Sequence, residues 1–139
     1  MSDLNRAIEI ASAAHAGQLD KGGHPYIMHP IRVMLAMSTE EERIVAVLHD
    51  VLEDCPDYVW MVEEAGFSRK VLEALNALTK RPGEPYSDFI VRVALNPLAC
   101  RVKVADMRDN MDLSRIPNPT DKDRERVAKY ARYIEVLAV

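Results

Sequence analysis

The stretch from Ile44 to Asp54 limits what this chain can fold into more than any other. Five consecutive apolar residues, Ile44-Val45-Ala46-Val47-Leu48, run directly into His49-Asp50-Val51-Leu52-Glu53-Asp54. Thr39 and Glu42 stand at capping-box spacing just upstream, so the pattern predicts a helix that starts there, continues to about Asp54 and is ended by Pro56. A helix that enters on such an apolar run faces a core, and ionisable side chains at its far end then need compensation by a cation or by one another. His49 would pair with Glu53, and Asp50 would reach both Glu53 and Asp54, because residues three and four apart share a helix face. His49 and Asp50 would lie about 100° apart around the axis, so further partners must come from elsewhere in the chain.

The flanking segments read as helices as well. Asp3 caps a first helix over residues 3 to 16, with Leu4, Ala7, Ile8 and Ala11 as its apolar stripe, His15 in its last turn and Gly17 as its stop. For His15 the spacing favours a structural role, as an imidazole near a helix C-terminus. Residues 17 to 30 hold three glycines and two prolines without any period and form a loop. Pro30 can open the next helix, from Ile31 to about Met37, with His29 at its N-cap boundary. Further helices are expected over Tyr58 to Ala65, over Arg69 to Leu78 with Val71, Leu72, Leu75 and Leu78 toward the core, over Tyr86 to Leu95, and from Pro97 past Asn110. A last helix from Thr120 would bury Val127, Tyr130, Ala131, Ile134 and Leu137. No alternating β-branched pattern occurs, so the expected fold is all-α.

The 139 residues suit one domain, 1–139, with its chemistry-bearing motifs between 15 and 113 and a C-terminal helix at about 120–139. No apolar run approaches the ~20 residues of a membrane span. The N-terminus lacks a signal-peptide profile, and Cys55 and Cys100 form no metal or disulfide pattern, so a reducing, cytoplasmic setting without a membrane partner is expected. A net charge of −4 argues against a general nucleic-acid surface while leaving room for a local cationic pocket. Oligomeric state is left open, a homo-oligomer included.

Four side chains could hold a divalent metal: His29 at the end of the loop, His49 and Asp50, and Asp106 within the largely apolar stretch from Val102 to Met107. Imidazoles mixed with carboxylates suit Mn²⁺, Fe²⁺ or Zn²⁺ better than Ca²⁺, which favours oxygen shells. The competing reading of a lone His-Asp pair is a helix-surface pair or a satisfied buried histidine.

Three segments in order, Gly17-Gln18-x-x-Lys21-Gly22-x-x-Pro25-Tyr26-Ile27-x-His29-Pro30, His49-Asp50-Val51-Leu52-Glu53-Asp54 and Val102-Lys103-Val104-Ala105-Asp106-x-x-x-Asn110, resemble the motifs of the HD-domain hydrolases of RelA/SpoT-type alarmone enzymes. The resemblance covers about residues 4 to 113, and the length is similar to that of the free-standing small alarmone hydrolases. It implies an HD-domain helical bundle and one Mn²⁺ held by His29, His49, Asp50 and Asp106, with Glu53 and Asp54 handling the attacking water. The implied reaction releases pyrophosphate from the 3′ position of guanosine tetra- or pentaphosphate, leaving GDP or GTP. Under that reading Asn110 would hold ribose or base, while Lys21, Lys80 and Arg81 would offset the diphosphate charge. The plainer readings stay open: a solvated loop lysine for Lys21, a helix-surface amide for Asn110, a solvated turn for Lys80 and Arg81.

Two positions depart from the family pattern. Asp20 stands where relatives carry an arginine against the guanine, and Asp112 follows Asn110 where relatives carry another arginine. A carboxylate neither stacks like a guanidinium nor attracts phosphate. The metal set is whole, so two other readings stand beside guanosine alarmones: a phosphohydrolase acting on another phosphorylated nucleotide, such as an adenosine alarmone or the 2′-phosphate of NADPH, and a non-catalytic nucleotide-binding module.

Overall fold

The computed structural model describes residues 3–138, and the fold is all-α. The helix expected at the centre is there. α3 (Glu40–Leu48) packs against α1 (Leu4–Ala14), α2 (Met28–Leu35), α6 (Arg69–Ala77) and α8 (Pro97–Asn110). Its capping box is formed: Thr39 Oγ1 accepts from the Glu42 amide at 3.2 Å, and Glu42 Oε1 accepts from the Thr39 amide at 3.0 Å. The other Glu42 oxygen takes the Arg101 guanidinium at 2.5 Å, which ties the start of α3 to α8. Ile44 through Leu48 are all buried, and residues of α1, α2, α6 and α8 close around them. Burying a leucine such as Leu48 contributes about 2 kcal/mol.

The expected continuous helix to Asp54 is corrected. α3 ends at Leu48, His49 and Asp50 form a turn, and a one-turn helix α4 follows (Val51–Asp54). The cause is local: His49 Nδ1 lies 2.5 Å from the Ala46 carbonyl, the oxygen that a continuing helix would offer to the Asp50 amide. The turn brings His49 and Asp50 to one point, where an unbroken helix would have splayed them.

Other boundaries shift by a turn or less. α1 is capped by Asp3, whose side chain accepts from the Arg6 amide, and α2 begins at Met28, so His29 sits inside its first turn. Pro56–Tyr58 form a tight 3₁₀ turn before α5 (Val59–Glu64), and Ser68 caps α6. α7 (Tyr86–Ala94) and α9 (Asp121–Leu137, capped by Thr120) both pack on α8. Two expected core positions lie outside it: Leu72 is 37% exposed, its place taken by Ala74, and Ala131 faces solvent. Among the described residues no helix is long and apolar enough to cross a membrane.

Candidate metal and substrate site

α2, the α3–α4 turn and α8 converge on one buried point. His29 comes from α2, His49 and Asp50 from the turn, and Asp106 from the middle of α8. Ligand atoms of His29, His49 and Asp50 lie within 4.8 Å of one another. Asp106 Oδ1 is 2.9 Å from His29 Nε2 and 3.3 Å from His49 Nε2. Asp50 Oδ2 stands 3.2 Å from His49 Nε2 and 3.8 Å from His29 Nε2. His29, His49 and Asp106 are buried, and the two imidazoles meet edge to face with centroids 5.4 Å apart.

Each side chain in the cluster is held by further contacts. A carbonyl can only accept, so the contact with Ala46 fixes the proton of a neutral His49 on Nδ1 and leaves Nε2 with a lone pair. That lone pair faces two carboxylate oxygens. The arrangement is repulsive unless a positive charge, a proton or a metal ion, sits among them. The imidazoles of His29 and His49 and the Asp50 carboxylate lie close enough to share a divalent cation, and Asp106 Oδ1 adjoins both imidazoles. The Tyr26 hydroxyl donates at 2.5 Å to Asp50 Oδ2, the oxygen that faces the imidazoles; Asn110 Nδ2 likewise donates to Asp106 Oδ1 at 3.0 Å, while Lys103 Nζ holds the far oxygen, Oδ2, at 3.0 Å.

The electrostatics follow from this crowding. Burial would lower the His29 pKa, yet hydrogen bonds to Asp106 and Asp109 outweigh it and raise it to about 9. His49 shifts the same way, with burial opposed by the charges of Asp50 and Asp106. Burial would raise Asp106, but Lys103 and the two imidazoles hold it well below the usual carboxylate range. Asp54, on α4, is pushed up as neighbouring atoms displace water from its carboxyl and then by the charges of Asp50 and Glu53, although the residue as a whole is exposed.

The remaining candidates fall in different places. Glu53 and Asp54 are exposed on α4, and Glu53 Oε2 accepts from the Lys80 backbone amide at 3.3 Å. A cavity of about 340 Å³ opens beside His29 between the glycine-rich loop and α8–α9, and Lys21 and Asn110 line it. Lys21 also pairs with Asp123 at 3.3 Å, whereas Lys80 is not among the lining residues. His15 is buried: its Nδ1 is 2.9 Å from Gln18 Oε1 and its ring packs on Tyr26. Asp20 closes the loop, one carboxylate oxygen accepting from the Gly22 and His24 amides at 2.9 Å each. A Cβ at Gly22 would run into the Arg115 carbonyl, so only glycine lets the loop lie against the segment after α8.

Residue patterns singled out Asp20 and Asp112 but missed the other charged groups of this wall, Asp109, Arg32, Arg115 and Arg126. Arg32, Arg115 and Arg126 line the cavity together with Asp109 and Asp112, and Arg115 pairs with Asp112 at 3.0 Å. The one available signal was helical spacing, since Asp109 is three residues from Asp106 and Arg32 three from His29. Only the packing of α2 on α8 turns those spacings into contacts.

The chain is 31% identical to a guanosine-3′,5′-bis(diphosphate) 3′-pyrophosphohydrolase of Aquifex aeolicus, over 78% of the chain and 17% of the relative. It is 33% identical to the bifunctional (p)ppGpp synthase/hydrolase RelA of Mycobacterium tuberculosis, over 99% of the chain and 20% of the relative. The chain thus spans about a fifth of the length of these curated relatives. No protein-family profile matches it. A solved structure of a metazoan SpoT ortholog, described as hydrolysing ppGpp, superposes with a TM-score of 0.77 at 23% identity, covering 96% of this chain and 84% of that one. In sequence and in fold, the chain is of the RelA/SpoT hydrolase-domain type.

Proposed function

We propose that this chain is a Mn²⁺-dependent 3′-pyrophosphohydrolase of guanosine tetra- and pentaphosphate, with the metal held by His29, His49, Asp50 and Asp106. The observation that carries the proposal is the His49 ring, fixed through Nδ1 by the Ala46 carbonyl so that Nε2 is aimed at Asp50 and Asp106. The activities of the relatives point to the substrate. Bound there, a divalent ion would polarise the phosphorus centre and lower the pKa of water at the site. Fe²⁺ and Zn²⁺ suit the same donors.

The protein's own groups do the rest. Asp54, raised above an ordinary carboxylate, takes the proton of the attacking water, and Glu53, tethered to the Lys80 amide, orients that water. The oxygen–phosphorus bond forms as the bond from phosphorus to the 3′ oxygen breaks, and the proton passes to the departing 3′ oxygen. Lys103 holds Asp106 in its ionised form, and Asn110 fixes the same carboxylate from the cavity side. The nucleoside and its 5′ phosphates occupy the cavity beside His29, where Lys21, Arg32, Arg115 and Arg126 offset their charge.

Metal removal and a substrate panel test this. Chelator-treated protein should be inactive, and Mn²⁺ should restore release of pyrophosphate from guanosine tetraphosphate. Inorganic phosphate released from NADPH, with no pyrophosphate from the alarmone, would favour the 2′-phosphate reading instead. That reading draws on the acids Asp20, Asp109 and Asp112 along the cavity wall. Silence on every nucleotide would leave a binding module.

The loop geometry also changes what Asp20 should do on substitution. Arginine there would lose the two amide hydrogen bonds that close the loop, each worth about 1 kcal/mol. Asp20→Asn keeps an oxygen to accept them while removing a negative charge from the cavity. It should lower KM for guanosine tetraphosphate by about two- to fivefold with kcat little changed, the scale of an exposed charge interaction. Steady-state kinetics of the two proteins at low salt provide the check, and an unchanged KM would mean that the Asp20 charge does not face the substrate.

A further inference from the structure

Asp109 lies outside the four-residue metal set, yet it makes one of the shortest side-chain contacts of the site. Its Oδ2 is 2.6 Å from His29 Nδ1, on the side of the ring opposite the nitrogen that faces Asp106. His29 and Arg32 are three residues apart on α2, and Asp106 and Asp109 are three apart on α8, so the packed helices match rung to rung. His29 bridges Asp106 and Asp109, while Arg32 forks onto Asp109 through Nε–Oδ1 at 2.8 Å and Nη2–Oδ2 at 3.1 Å. Arg115 adds a third hold, donating to the Asp109 carbonyl at 2.9 Å and standing 3.4 Å from Oδ2.

We infer that Asp109 is a positioning residue for His29: braced by Arg32 and Arg115, its carboxylate holds the His29 proton on Nδ1 and aims a basic Nε2 lone pair at the metal point. The inference rests on the metal reading above. The fork from Arg32 and the nearby Arg115 guanidinium favour the charged carboxylate, which accepts from the imidazole. A carboxylate behind a ligating imidazole fixes ring angle and tautomer and raises ligand basicity. His49 has only the neutral Ala46 carbonyl in that position, so the two imidazoles are supported unequally, and His29 is the more basic ligand. Asp109 also lines the cavity beside Arg32 and Arg115, so the residues that brace the metal ligand are those that meet the substrate.

Titration of metal-free protein with Mn²⁺, reading free ion by electron paramagnetic resonance, tests the assignment without turnover. Asp109→Ala should weaken Mn²⁺ affinity by about a hundredfold, the upper range for such supporting groups. Asp109→Asn, which retains an acceptor but not the charge, should recover part of the loss. Circular dichroism and melting of the metal-free variants check that the helices persist. In the Zn²⁺ form, nitrogen shifts should report His29 protonated at Nδ1 in the parent, with that signature lost in Asp109→Ala. Mn²⁺ affinity of a folded Asp109→Ala within twofold of the parent would overturn the positioning role while leaving the metal site standing. A parent protein that binds no Mn²⁺ would remove the metal reading and this inference with it.

Discussion

Replacing His49 by alanine should remove bound Mn²⁺ and turnover together, to below detection, with Asp50→Ala behaving alike. Both side chains point at the same spot between α2, the α3–α4 turn and α8. Metal content after dialysis and initial rates on guanosine tetraphosphate read the two losses. A fully active His49→Ala protein would contradict the site. The charge state of the metal-free cluster adds a pH dependence. His29 is raised to about 9, so at neutral pH it carries a proton that a metal ion must displace. Mn²⁺ affinity should therefore climb with pH and level off as pH passes about 9. The sign for the metal-free fold is opposite: a raised histidine pKa contributes stability that is fully present below about 6.5 and is lost as pH rises through about 9. Melting temperatures without metal should fall over the window in which metal affinity rises.

Asp54→Asn should keep the metal and lose the rate, by about 10² to 10⁴, the usual contribution of a positioned acid–base group. Asp54 is exposed at the end of α4, one turn beyond Asp50, so its loss leaves the four ligand positions untouched. A base works only when deprotonated. Because its pKa is raised, the acid limb of the parent's rate profile should lie above the range of an ordinary aspartate, and the asparagine variant should lack that limb. Glu53→Gln should retain metal with a smaller rate loss, because the proposed mechanism asks Glu53 only to orient the water and the amide oxygen can still accept from the Lys80 amide. If Asp54→Asn keeps the parent's rate, proton transfer belongs to another group.

Local chemistry made much of the fold legible in the sequence. Thr39 with Glu42, Ser68 and Thr120 each cap a helix through their own side chains, an interaction carried within a few residues. The apolar run Ile44–Leu48 is as buried as its composition demands. The helix break after Leu48 was hidden because it depends on a rotamer: His49 could sit on a continuous helix, and only its bond to Ala46 turns the chain. His29, His49, Asp50 and Asp106 could be picked out as ionisable groups in apolar settings. Asp109, Arg32 and Arg115 could not, because each reads as an ordinary polar helix or loop residue until α2 lies on α8. Asp20 drew attention as a missing arginine, but its carboxylate is engaged by its own loop, a role only backbone geometry reveals.

The central claim is that water attacks the phosphorus joined to the 3′ oxygen, at a site organised by His29, His49, Asp50 and Asp106. Hydrolysis of guanosine tetraphosphate in heavy-oxygen water, with Mn²⁺ added and the products separated by mass spectrometry, tests it most directly. The account predicts GDP free of label and pyrophosphate carrying one labelled oxygen, with the reaction absent in His49→Ala. Label in the nucleoside, or stepwise release of inorganic phosphate in place of pyrophosphate, would contradict it.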